Sequence, residues 1–105
     1  MDGKDRIGQL EKFLAARPDD PFPRYALALE HRSRGDLAQA ARTLEQLVER
    51  LPGYVPAYLM LGQILQQQDR LPEARTALAA GQKQAQEKGD RHALSELTSA
   101  LEAIS

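Results

Sequence analysis

PFPRYALALEHRSRGDLAQAARTLEQLVERLP, residues 21–52, contains two helical periods joined at Gly35-Asp36, and a copy of it follows. Shifting the chain by thirty-four residues places Leu27 on Leu61, Leu37 on Leu71, Ala40 on Ala74 and Leu44 on Leu78. Ala28 falls on Gly62, so a small residue meets a small residue. In the other direction Leu10 and Glu11 fall on Leu44 and Glu45, and Pro18 falls on Pro52. A period of about thirty-four residues is that of a helix–turn–helix unit stacked on copies of itself.

Inside the stretch, Asp19-Asp20-Pro21 is a start signal. An acid can cap the free N–H groups, and proline is tolerated in a first turn whose N–H would be unpaired anyway. This helix is expected to reach about Arg34, with Gly35 free to take positive φ beyond its end. Asp36 caps the next helix, and Gln39 three residues on resembles the reciprocal partner of a capping box. Leu37, Ala40, Ala41, Leu44, Leu47, Val48 and Leu51 then form one apolar stripe, opposite Arg42, Glu45, Gln46, Glu49 and Arg50. Pro52-Gly53 ends it.

Outside the stretch, residues 4–16 read as a leading helix with Ile7, Leu10, Phe13 and Leu14 on one face, stopped by Pro18. The second unit starts near Pro56, turns at Asp69-Arg70 and continues from Leu71 to about Glu87. Gly89-Asp90 repeats the earlier punctuation. A trailing helix follows, with Leu94, Leu97, Leu101 and Ile104 on one face. The expectation is an all-α stack of six helices in one domain: a leading half-unit over 4–18, units over 21–52 and 55–88, and a capping helix over 90–105. A stack leaves apolar surface at its ends, so the outer helices are expected to cover them.

These residues resemble the tetratricopeptide repeat. Its unit carries a small residue midway along the first helix, Gly at the turn, Leu or Tyr two on, Ala early in the second helix, an aromatic or Leu one turn later, and a closing Pro. Unit one has Ala28, Gly35, Leu37, Ala40, Leu44 and Pro52; unit two has Gly62, Asp69, Leu71, Ala74 and Leu78. The departures are Arg24 where the family favours Trp, Leu47 and Gly81 for a usual Ala, and Gln86 for the closing Pro. The resemblance implies a right-handed solenoid in which Ala28 faces Ala40 and Gly62 faces Ala74. It also implies a concave groove that holds an extended peptide or helix. Phe22, Tyr25, Leu29 and Arg32 lie opposite Ala28 on the first helix, and Leu59, Gln63 and Gln66 stand at matching places in unit two. The competing reading packs Tyr25 and Leu29 into the stack instead.

The 105 residues carry a net charge of −1. Residues 1–52 hold nine basic and nine acidic side chains and residues 53–105 hold five and six, so neither half forms a basic arm for nucleic acid or an anionic membrane. There is no cysteine and therefore no thiol chemistry. Met1 is followed by Asp2, Lys4 and Asp5 rather than an apolar signal, and no apolar run is long enough to span a bilayer, so a cytoplasmic protein is expected. His31 and His92 have no metal-ligand spacing, and Asp19-Asp20 is explained by capping. The serines have no recognisable partners, and no phosphate-binding loop is present. No enzyme activity and no cofactor are expected. The function expected is binding of a partner protein, with a monomer as the resting state. The alternative is self-association through the trailing helix or an exposed stack end.

Overall fold

The computed structural model describes residues 3–105, and side chains from Asp5 onward. Met1 and Asp2, part of the polar start read above, lie outside the described residues. Six helices follow one another: α1 (Gly3–Ala16), α2 (Pro21–Ser33), α3 (Leu37–Arg50), α4 (Pro56–Gln67), α5 (Leu71–Lys88) and α6 (Arg91–Ile104). Each packs on the next, and α6 also reaches α4. This is an all-α helical-repeat stack.

Three turns share one closure. After α2, the Asp36 N–H donates to the His31 carbonyl (2.9 Å) and the Gly35 N–H to Arg32 (3.0 Å). After α4, Arg70 donates to Leu65 (2.8 Å) and Asp69 to Gln66 (2.9 Å). After α5, Asp90 donates to Ala85 (2.9 Å) and Gly89 to Gln86 (3.1 Å). This pairing satisfies carbonyls left free at a helix end, and it requires a left-handed residue in the middle. Gly35 (φ 79), Asp69 (φ 60) and Gly89 (φ 69) fill that place.

The closure corrects one expectation. The Asp36 carboxylate does accept the Gln39 N–H (3.1 Å), but the Gln39 side chain does not return the bond. The Asp36 N–H is already spent on His31, and the Gln39 amide oxygen accepts from Arg42 at 2.6 Å. Only half of a capping box forms.

The core runs through the stack as two joined clusters. The first gathers Ala28, Ala40, Ala41, Leu44 and Leu47 with Ala57, Leu61, Ile64, Leu65 and Ala74. The second gathers Val55, Tyr58, Leu78, Ala85 and Leu97, with Leu94, Leu101 and Ile104 of α6 packed against it. The side chain nearest Gly62 is that of Leu78: a Cβ placed there would meet Leu78 Cγ at 2.6 Å, one turn beyond Ala74 along α5, so the notch receives a leucine side chain. Gly81 is a second notch: a Cβ there would lie 2.6 Å from Tyr58 Cβ and 2.9 Å from Leu97 Cδ2. α4, α5 and α6 meet at this point.

α1 packs chiefly on α2 and buries Leu10. Phe13, expected on its apolar face, is 58% exposed. One neighbouring helix covers only part of a stripe as wide as Ile7, Leu10, Phe13 and Leu14. α5 runs to Lys88, one turn beyond the equivalent of α3, because Gln86 stands where Pro52 ends the first unit.

Candidate functional site

A cavity of about 430 Å³ opens between α2, α4 and the first turns of α6. Tyr25, Leu29 and Arg32 are spaced by four and three residues, which puts them on one face of α2. Leu59 and Gln63 stand likewise on α4. All five line the cavity, and the buried side chains of Val55, Met60 and Leu97 form its floor. Phe22, in the first turn of α2, is 62% exposed and lies outside it, as does the exposed Gln66 in the last turn of α4.

Tyr25 is held in place by Tyr54, which precedes α4. Their rings meet edge to face, with centroids 5.6 Å apart at 77°. This is a favoured aromatic geometry. Burial, with smaller contributions from Tyr25 and Asp20, raises the Tyr54 pKa. Tyr25 is half-buried, whereas Leu29 is 45% exposed and offers its side chain to the opening.

α6 supplies the wall that the sequence reading did not assign, with Asp90, His92, Ala93 and Glu96. The Asp90 carboxylate caps α6 by accepting the Ala93 N–H at 3.0 Å. His92 Nε2 lies 3.2 Å from Glu96 Oε1. Arg32 differs from these groups. The residue is half-buried, and its guanidinium has no hydrogen-bond or ion-pair partner among the described residues. The signal for α6 was weak because its groove-facing residues are mostly polar. Its leucine register is also shifted: Leu27 and Leu61 are thirty-four apart, but the next buried leucine of this kind is Leu97, thirty-six on.

The remaining candidates are structural in their contacts. Asp20 accepts the Phe22 N–H at 3.0 Å as the cap of α2, and Asp19 pairs with Arg50 at 2.8 Å. Among the described residues no group of three or more His, Cys, Asp or Glu is placed to hold a metal ion. None of the described helices is long and apolar enough to cross a membrane.

Alternate helices walling one cavity define a helical-repeat scaffold with a side-chain-lined groove. Residues 31–101 match the sequence profile of the tetratricopeptide repeat, and the chain belongs to that family. A tetratricopeptide repeat domain protein from Salinibacter ruber is 40% identical, covering 81% of this chain and 94% of that one with a TM-score of 0.76. BPP2914 from Bordetella parapertussis is 28% identical over 93% of this chain and 85% of that one, with a TM-score of 0.77. The type III secretion translocator chaperone SycD of Yersinia enterocolitica superposes with a TM-score of 0.84 over 97% of this chain and 71% of that one. At 17% identity, that likeness concerns the fold alone. No curated protein matches the chain. Helical repeats of this type generally serve as protein–protein interaction scaffolds.

Proposed function

We propose that the groove between α2, α4 and α6 binds an extended segment or helix of a partner protein. The segment offers an apolar side chain to Tyr25, Leu29 and Leu59 and an acidic group to Arg32. The observation that carries this reading is the unpaired, half-buried Arg32 beside an apolar floor. Asp90 accepts the Ala93 N–H and Glu96 lies beside His92, whereas the Arg32 side chain has no partner among the described residues. Aromatic and arginine side chains are the usual anchors of interfaces. With few anchors, a lone peptide should bind at roughly micromolar affinity or weaker.

The test is a pair of synthetic peptides that share a leucine and differ by Asp or Lys one turn away, titrated by fluorescence anisotropy. The Asp peptide should bind more tightly, and Arg32→Glu should reverse the preference. Leu29→Ser, at an exposed position, should weaken both peptides while leaving the helical circular-dichroism signal unchanged. Equal binding of the two peptides by the native protein would remove Arg32 from recognition.

A second reading rests on Phe13 (58% exposed) and Phe22 (62% exposed) near the junction of α1 and α2. In that reading the end of the stack pairs with another copy. Sedimentation across a range of concentrations separates the readings: a mass that rises with concentration and is reset by Phe13→Ser supports self-association.

A further inference from the structure

A second cleft, also of about 430 Å³, lies between α3 and α5, with α4 as its floor. Its floor is apolar and buried: Tyr58, Leu61 and Leu65. The α5 wall begins with Pro72 and Glu73 and continues with the small side chains Thr76, Ala77 and Ala80, which share one face of that helix. The depression exists because α3 and α5 each pack on α4, while past Glu73 the α5 wall offers little more than methyl groups to fill the space between them. A cavity of about 150 Å³ is enough for a benzene-sized group, so this one has room for two large apolar side chains.

The rim carries one sign of charge. Glu45 stands on the α3 wall and Glu73 on the α5 wall, and no basic side chain lines the cleft. Glu73 is paired with Arg70, and that contact holds its carboxyl below the usual range. Glu45 makes no hydrogen bond or ion pair among the described residues, although its charge is felt at Arg70. The first groove has the opposite polarity at its unpaired group, the cation Arg32.

From the apolar floor and acidic rim we infer that this cleft is a second docking site. Its occupant is a helix of a partner protein with large apolar side chains one turn apart and Lys or Arg beside them. The apolar side chains enter over Leu61 and Leu65 between α3 and α5. The flanking cation meets Glu45, and a like-charged partner is repelled from the same rim, which gives the cleft its selectivity. This inference stands on its own residues and does not depend on the reading of the first groove.

The experiment uses the full chain and two synthetic helical peptides of about twenty residues, above the length at which an isolated helix is marginal in water. Both carry leucines four residues apart. One has Lys at the flanking positions and the other has Glu. Amide chemical shifts of the ¹⁵N-labelled protein report where each peptide lands. The Lys peptide should shift the amides of Val48, Leu61, Ala77 and Ala80 and bind roughly tenfold more tightly than the Glu peptide. Ala80→Arg, at an exposed position, should abolish those shifts by filling the cleft and reversing its charge. Glu45→Lys should erase the preference for Lys, while Leu29→Ser in the first groove should leave both unchanged. Equal binding of the two peptides overturns the proposal, and so does binding that survives Ala80→Arg. Shifts at the same amides on concentrating the protein alone assign the cleft to a second copy and overturn it as well.

Discussion

Unit one and unit two perform the same tasks with different residues. Arg24 and Tyr58 occupy equivalent positions thirty-four apart, as do Pro18 and Pro52. Arg24 Nη1 donates to the Pro18 carbonyl, and the Tyr58 hydroxyl donates to the Pro52 carbonyl at 2.6 Å. A guanidinium and a phenol thus tie the first helix of each unit to the loop before it. The fit differs in quality. Arg24 Nε is buried without a partner, and burial followed by the nearby Arg50 lowers its pKa, whereas the Tyr58 ring packs in the second core cluster. At the crossing, unit one has Ala28 and unit two has Gly62, whose missing Cβ is replaced by the Leu78 side chain. At the turn, unit one has Gly35 and unit two has Asp69 at positive φ. The contrast shows that a repeat preserves a contact, and that the residue type making it can change.

The largest effect expected within this comparison is at Leu78. Leu78→Ala should lower stability by about 2–5 kcal/mol, as other buried leucine truncations do, measured by urea unfolding. Gly62→Ala alone should cost about 1–3 kcal/mol, because Leu78 fills the space the new methyl needs. The sharper test combines the two. With Leu78 shortened, Gly62→Ala should become stabilising by up to about 1 kcal/mol, since alanine is the better helix former and the clash is gone. Strict additivity of the two changes would show that Gly62 and Leu78 do not form one notch.

Smaller effects are expected at the tie to the loop. Tyr58→Phe should lose about 1 kcal/mol by leaving the Pro52 carbonyl unpaired. Arg24→Tyr should be neutral or stabilising by up to about 1 kcal/mol, because it removes a buried unpaired N–H and installs the donor that unit two uses. Tyr58 also carries a pH signature. Burial raises its pKa above the ordinary 10.0, so the folded state keeps the proton when the unfolded chain has lost it. Stability should therefore fall as pH rises through and beyond that value. The fall should be shallower in Tyr58→Phe, with Tyr54 contributing the remainder.

The smallest effect is at the turn. Asp69→Gly should raise stability by about 0.5 kcal/mol, since glycine takes positive φ without strain but gives up some of the gain through a looser unfolded chain. Gly35→Asp should move stability the other way. Thermal unfolding of the pair checks both signs.

The sequence by itself determined the helices, their order and their boundaries to within a turn. Each depends on local signals: apolar residues at helical spacing, acids before the first turn, Gly or Asp where the chain must turn left-handed. It also placed Tyr25, Leu29, Arg32, Leu59 and Gln63 on groove-facing sides, because the thirty-four-residue period carries a face from one unit to the next. Only the tertiary structure decided the rest. α6 walls the groove because it packs on both α4 and α5, a placement that no spacing within α6 records. Phe22 and Gln66 fall outside the cavity because a shared helical face does not say where a groove begins and ends. Gly62 receives the Leu78 side chain because the depth of a helix crossing depends on both partners at once. The cleft between α3 and α5 is a gap between helices that both lean on a third, and no spacing within one helix records the distance to another.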